Sequence, residues 1–264
     1  MQEHAYELGL VFSGGGVRSI AHLGVLKALE EIGMKPDIMS GVSTGALVAA
    51  LYAQGYTPDE IFNNMHDYRL QDFLLPGFPR GGFFRSKRIS DKLMALFEVE
   101  RVDELAIPLH IIATNVTDME MYDFYDGPLE VALRATMAMP IIFRPVRYND
   151  KLLVDGGLIS NLPLEPLQNC CRTIMGVHVN PPLSRDVKGL GNYVIRVIKT
   201  ALYANAIKNM PHCDYLLTPE GLEKFPLLRL DRNKHEIFEL GYAYASRFFE
   251  KHSDDLGKLE CQHT

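Results

Sequence analysis

One serine in the chain stands between two glycines, in Gly41-Val42-Ser43-Thr44-Gly45, and this fits G-x-S-x-G. The chemistry that such a spacing serves is nucleophilic attack. A serine on a sharp strand-to-helix turn lifts its hydroxyl above the sheet edge, and the strained backbone tolerates only small neighbours. The helix that follows turns its free amides and the positive end of its dipole toward developing negative charge. A chance match in a glycine-rich turn would give the same letters, so context decides. A short strand is expected over Asp37–Ser40, and Ala46-Leu47-Val48-Ala49-Ala50-Leu51 reads as an apolar helix, which is the context the mechanism needs.

A second candidate is Gly14-Gly15-Gly16, which follows the apolar strand of residues 7–13 and opens a helix expected from Val17 to Ile32. Backbone amides of such a loop can converge on an anion because glycine permits the dihedrals and the close approach. In an ester hydrolase that anion is the oxygen of the tetrahedral intermediate, and losing one donor costs about 3–4 kcal/mol. Arg18 adds a positive charge near the turn, or serves as a packing arginine. The same loop resembles a dinucleotide fingerprint, but Ser19 replaces its last glycine. Asp37 has the spacing of the ribose-binding acid yet precedes the second strand. A phosphate-binding loop of the P-loop kind fails too, since no Gly-Lys-Ser/Thr follows.

A serine nucleophile needs a base. In an ordinary α/β-hydrolase the order is serine, acid, histidine. His178, His212 and His235 come late enough, but none sits in a distinctive turn, and His22 on the first helix reads as structural. Asp155-Gly156-Gly157 is the better candidate. It follows the strand Leu152–Val154, and the two glycines let the chain turn while leaving the carboxylate uncrowded. A plain Asp-Gly turn would look the same.

The elements that must position these groups alternate. Strand, helix, strand, helix fill the first fifty-odd residues, which argues for a parallel sheet covered by helices. Further strands are expected at Leu109–Thr114, Glu120–Tyr125 and Ile174–Val179, with another near Tyr215–Leu217. Val146–Tyr148 and Leu152–Val154 flank Asn149-Asp150, a good hairpin turn. Helices are expected at Ile89–Phe97, Leu129–Ala138, Tyr193–Asn209 and Lys234–Lys251. Residues 70–85, rich in Phe, Pro and Gly, read as a long loop or cap. They either touch a bilayer or pack onto the core, and packing is favoured because exposed apolar patches are uncommon.

Composition fits an ordinary globular chain: 264 residues, 47% hydrophobic, 23% charged, net charge −6. The acidic balance argues against a nucleic-acid partner. Residues 1–7 show neither a basic start nor an apolar stretch, so no secretory signal is expected, and no run is long enough to span a bilayer. Cys170, Cys171, Cys213 and Cys261 match no zinc pattern and read as reduced thiols of a cytoplasmic protein.

Taken in order, Gly14-Gly15-Gly16-Val17-Arg18, Gly41-Val42-Ser43-Thr44-Gly45 and Asp155-Gly156-Gly157 resemble the patatin-like phospholipases. The segment 132–140 (ALRATMAMP) and Asn161-Leu162-Pro163 are similar as well. The resemblance covers about residues 5–220. It implies an α/β/α sandwich of three layers with a mostly parallel central sheet. A single domain is expected over 1–264, with a core over about 5–220 and a C-terminal helical extension over about 221–264; the helices from about 190 onward are expected either to complete the fold, which is favoured, or to form an interface. The resemblance also implies a lipid acyl hydrolase that uses Ser43 as nucleophile and Asp155 as base, with no metal and no cofactor. The amides of Gly15 and Gly16 would form the oxyanion hole, with that of Thr44 as an added donor. Gly14, Arg18, Gly41, Gly45, Gly156 and Gly157 would support these groups. The expected partner is a lipid or acyl ester, with peripheral membrane contact as one reading of residues 70–85. Ser19 departs from the family loop, which has glycine there, and its side chain is expected either to crowd the helix packing or to narrow the site. An acyltransferase and a catalytically silent lipid-binding protein stand as alternatives.

Overall fold

Five-to-seven-residue apolar runs bounded by turns build the centre of the molecule. The computed structural model describes residues 4–66, 93–182, 189–225 and 233–260. Its strands are β1 (Tyr6–Phe12), β2 (Ile38–Val42), β3 (Leu109–Asn115), β4 (Glu120–Phe124), β5 (Val146–Tyr148), β6 (Lys151–Asp155), β7 (Cys171–Val177) and β8 (Tyr215–Leu217). The helices are α1 (Ile20–Glu31), α2 (Ser43–Gln54), α3 (Pro58–His66), α4 (Leu129–Thr136), α5 (Leu190–Asn209), α6 (Lys234–Lys251) and α7 (Ser253–Glu260).

The eight strands form one sheet, in the order β5-β6-β3-β2-β1-β7-β8, with β4 also paired to β3. The run β3-β2-β1-β7-β8 is parallel throughout, while β4, β5 and β6 are antiparallel to their partners. Residues Leu8–Phe12 of β1 are all buried, as expected of a parallel strand covered on both faces. Successive side chains leave a strand on opposite faces. Leu8, Leu10 and Phe12 accordingly join the core under α1, α2 and α6, and Val11 joins a second core with Leu162, Leu164, Leu167 and Ala206 of α5. The fold is the expected three-layer α/β/α sandwich with a mostly parallel sheet, and its antiparallel members gather around β3.

The local departures have clear causes. The helix expected from Val17 opens as a 3-10 turn over Gly16–Ser19, closed by Arg18 N–H donating to the Gly15 carbonyl, and becomes α-helical only at Ile20. The β5–β6 hairpin turns on Asn149 and Asp150, both left-handed at φ 46° and 58°, the geometry that a two-residue turn needs to match strand twist. Residues 70–85 and the start of the helix expected over Ile89–Phe97 lie outside the described residues. Among those described, no helix is long and apolar enough to cross a membrane, and Cys170, Cys171 and Cys213 are free thiols.

Helix α6 packs directly on α1 through two glycines. A Cβ on Gly241 would stand 2.1 Å from the Ala21 carbonyl oxygen, and one on Gly24 would stand 2.2 Å from the Phe238 carbonyl oxygen. Both obstacles are backbone, so the helices could admit a methyl group only by separating. Gly241→Ala is therefore expected to lower the unfolding free energy by roughly 1–3 kcal/mol. Urea denaturation checks this, and an unchanged midpoint would mean that the two helices are not held at that separation.

Candidate active site

Strand β3 has two edges. Along one, β4 pairs with Ile111–Asn115. The other is divided: β2 runs parallel beside it up to Ile112, where Val42 is its partner, and β6 takes over at Ala113, paired with Asp155. β2 and β6 approach from opposite directions and stop at consecutive residues of the same strand. Each must turn away there, and the residues at the two turns are Ser43 and Asp155. The register of one strand thus brings together two residues that lie 112 positions apart in the sequence.

Ser43 turns with a left-handed backbone, φ 53°, rare for a residue with a Cβ and typical of a strained functional turn. Its amide donates to Thr136 Oγ1 at 2.7 Å, and the Thr136 hydroxyl donates onward to the Ile112 carbonyl at 2.5 Å. This bridge from α4 holds the strained turn to the sheet. The two glycines of the motif are required by close packing. A Cβ on Gly45 would lie 2.3 Å from the Ser13 carbonyl oxygen, and one on Gly41 would lie 2.8 Å from the Ala46 Cα.

Asp155 is pinned on both sides of its peptide. Its N–H donates to the Ala138 carbonyl at 3.0 Å, and its carbonyl accepts from Thr114 Oγ1 at 2.9 Å. One carboxylate oxygen accepts from the Gly157 N–H at 2.9 Å. The side chain is buried, and burial pushes its pKa up to about 6, against the opposing pull of the Gly157 amide and a hydrogen bond with Ser43. A carboxylate in this environment is a far better proton acceptor than an exposed aspartate.

The glycine loop lies against this pair. Gly16 has φ 56°, which makes glycine the natural residue there, and Asn180 Nδ2 donates to the Gly14 carbonyl. The Gly15 N–H donates to Thr44 Oγ1 at 3.3 Å, a long bond. Ser19, the departure from the family loop, packs beside Gly15, with Oγ 3.1 Å from where a Cβ on that glycine would stand. It is buried, and its hydroxyl is 2.7 Å from Thr44 Oγ1, so it ties the loop to the start of α2. Arg18 is buried too, with Nε and Nη2 donating to the Phe225 carbonyl at 2.9 and 2.7 Å. It anchors a distant segment to the loop while leaving its charge in the neighbourhood.

The rival groups are accounted for by packing. His22 is buried beneath the loop with Nε2 at 2.8 Å from the Ser13 carbonyl, and desolvation lowers its pKa to about 3. His178 is buried in the same way, and desolvation, aided by the charge of Arg18, lowers its pKa to about 4. His235 makes a tilted ring contact with Phe62, centroids 4.7 Å apart. Asp37 accepts from the amides of Glu7 and Leu8 at 3.0 and 2.8 Å, so the acid that a dinucleotide site would need is a backbone cap.

Three residues at the site carry no role in the sequence reading: Thr136, Asn161 and Asn180. The first two lie within segments that mark the family resemblance, but nothing in their own spacing tells which atoms they face. Asn161 is 2% exposed and sits between the glycine loop and the aspartate turn. Its Oδ1 is 2.9 Å from where a Cβ would stand on either Gly14 or Gly157, and its Nδ2 has no partner among the described residues.

Residues 10–167, more than half of the chain, match the family model described as patatin-like phospholipase. A patatin-like phospholipase domain-containing protein of Caenorhabditis elegans is 33% identical over 175 residues, covering 61% of this chain and 13% of that protein. Lysophospholipase NTE1 of Kluyveromyces lactis is 26% identical over 288 residues, covering 92% of this chain and 19% of that protein. The chain thus spans no more than about a fifth of these relatives. VipD from Legionella pneumophila shares the fold, with a TM-score of 0.62 at 15% identity over 96% of this chain and 71% of that one. With the family model covering the glycine loop, the Ser43 turn and the Asp155 turn together, the chain belongs to the patatin-like phospholipase family.

Proposed function

We propose that the chain is a lipid acyl hydrolase that cleaves carboxylic esters, of the phospholipase A, lysophospholipase or esterase type, through a Ser43–Asp155 dyad and an acyl-enzyme. The observation that carries this reading is the meeting of β2 and β6 on β3. It sets a left-handed serine beside a buried aspartate whose proton affinity is raised. A relative named as a lysophospholipase supports the substrate class.

In the proposed reaction Asp155 takes the Ser43 proton as Oγ attacks the ester carbonyl. The oxyanion is held by the amides of Gly15 and Gly16, assisted by the start of α2 at Thr44. The Gly15 N–H can exchange its long bond to Thr44 for a charged acceptor, which is the stronger partner. The proton on Asp155 then passes to the leaving alcohol, and a water activated by the same carboxylate releases the acyl group. An alcohol in place of water would make the same intermediate serve acyl transfer, and product analysis with an added alcohol separates the two.

The direct test is labelling by a fluorophosphonate, read by mass spectrometry. Label is expected on Ser43 in the wild type and is expected to be lost in Ser43→Ala and Asp155→Asn. A folded wild type that takes no label would sink the hydrolase reading in favour of a silent lipid-binding protein.

The pH dependence follows from the same carboxylate. The base must be ionised, so kcat/KM for an uncharged ester should fall about tenfold per pH unit below pH 6 and level off above it. A flat profile down to pH 4 would exclude Asp155 as the base.

Stability should move the other way. A folded-state pKa above the unfolded value means that stability is fully present below the unfolded pKa and is lost as pH rises through about 6. Asp155→Asn, which removes the buried charge, should leave the protein at pH 7.5 as stable as wild type, or more stable by on the order of 2 kcal/mol. A lower melting temperature for the variant would contradict this.

A further inference from the structure

Ser19 stands at the N-cap of α1, yet its side chain makes no cap hydrogen bond. Serine is favoured at that position because its oxygen accepts from an amide of the first turn. Here the hydroxyl does no such work. It is buried, the residue being 1% exposed, and lies 2.7 Å from Thr44 Oγ1. Thr44 Oγ1 in turn accepts from the Gly15 N–H at 3.3 Å. Thr44 is half-buried and follows the nucleophile directly in the chain. Two hydroxyls and one amide of the proposed oxyanion hole thus form a single hydrogen-bonded chain at the Ser43 turn.

The protons of this chain can be assigned by accounting. A hydroxyl carries one proton and two lone pairs. Among the described residues, Thr44 Oγ1 is the hydrogen-bond partner of the Ser19 hydroxyl, and it has no other. Were Thr44 the donor of that bond, the Ser19 proton would be buried without an acceptor, which is costly. Ser19 is therefore the donor. Thr44 Oγ1 then accepts twice, from the Ser19 hydroxyl and from the Gly15 amide, and both of its lone pairs are used. Its own proton must point away from both, and no acceptor for it stands among the described residues. An oxyanion held by the Gly15 N–H has to approach the same amide that Thr44 Oγ1 faces. The developing charge and the spare hydroxyl proton are thereby brought within reach of each other.

We propose that Thr44 is a further catalytic residue, whose hydroxyl donates to the oxyanion, and that Ser19 is the positioning residue that keeps the Thr44 proton turned toward it. This assignment rests on the acyl-hydrolase reading. In the step concerned, Ser43 Oγ bonds to the ester carbon, the π electron pair of the carbonyl moves to its oxygen, and Asp155 takes the serine proton. Thr44 keeps its proton throughout and only donates a hydrogen bond. When the Gly15 N–H leaves Thr44 for the oxyanion, the bond from Ser19 remains, so the orientation of the Thr44 hydroxyl does not depend on the amide. The position at which this chain departs from the family loop, with serine in place of glycine, is then the one that supplies the orientation.

The test uses Thr44→Val, Thr44→Ser, Ser19→Ala and the Ser19→Ala/Thr44→Val double variant. Turnover of p-nitrophenyl butyrate, the rate of fluorophosphonate labelling at Ser43 and the urea midpoint are measured for each beside wild type. Thr44→Val keeps the branched shape and loses the hydroxyl. It should lower kcat roughly tenfold or more with KM little changed, because the lost donor acts on charge that develops only in the transition state. Thr44→Ser, which keeps the hydroxyl, should recover most of the rate. Ser19→Ala should lower kcat by a smaller factor, again with KM little changed. The double variant should be no slower than Thr44→Val, since Ser19 acts through Thr44. Labelling rates should follow kcat in all of them. Wild-type kcat in Thr44→Val, whatever happens to its urea midpoint, overturns the catalytic role of Thr44 and leaves its hydroxyl a structural link. A double variant slower than Thr44→Val by the full Ser19→Ala factor overturns the positioning role of Ser19. If wild type itself neither takes the label nor turns over the ester, the hydrolase reading fails and this assignment fails with it; if wild type does both and Thr44→Val matches it, this assignment alone fails.

Discussion

The two-sided pairing of β3 is the constraint on which the site depends. A strand has only two edges, and with β4 on one of them β2 and β6 must share the other end to end. Neither can continue past the other, so both turn away at adjacent register positions. The left-handed turn at Ser43 is held there by the Thr136 bridge, and the turn at Asp155 by bonds to Ala138 and Thr114. Hydrogen bonds of the sheet, rather than contacts between the two side chains, set their separation. This is the kind of rigid positioning that catalytic groups need.

The same arrangement explains the electrostatics. Where two strand ends meet inside a sandwich, water is excluded, and a carboxylate placed there is disfavoured as an ion. Asp155 is partly compensated by the Gly157 amide and by Ser43, and the remainder appears as its raised proton affinity. This aspartate holds a proton more readily than an exposed one because the fold makes its charged form costly. The histidines His22 and His178 are desolvated as well, which lowers their pKa values to about 3 and about 4, and His22 Nε2 is held by the Ser13 carbonyl.

The glycine loop links these centres to the outer layers. Ser19 and Thr44 couple it to α2, Asn180 to the strand end after β7, and Arg18 to Phe225 far along the chain. α1, which the loop opens, is held by the glycine contact with α6. The second face of the sheet is covered in part by α5, whose Leu202 packs against Gly157 of the aspartate turn. One helical layer thus supports the loop from behind, and the other closes the space in front of it.

Much of this was legible in the chain. Alternating short apolar strands and helical stretches specify the sandwich, because period and length are local properties. The hairpin at Asn149-Asp150 follows from residues that accept left-handed dihedrals. The three glycine-bearing motifs identify Ser43, Asp155 and the loop, since each motif records a local backbone demand. Other features had no local signal. Thr136, Asn161 and Asn180 are ordinary polar residues whose roles come from partners far away in sequence. Ser19, which by type alone suggested crowding or a narrowed site, is buried with Thr44 within hydrogen-bonding reach of it. Arg18 could equally have been a surface residue until Phe225 was found beside it. Motifs and periodicity therefore determined which groups could react and in what kind of fold. Only the tertiary structure decided which of them meet, what surrounds them and how readily Asp155 holds a proton, because register between distant strands and exclusion of water are properties of the folded chain as a whole.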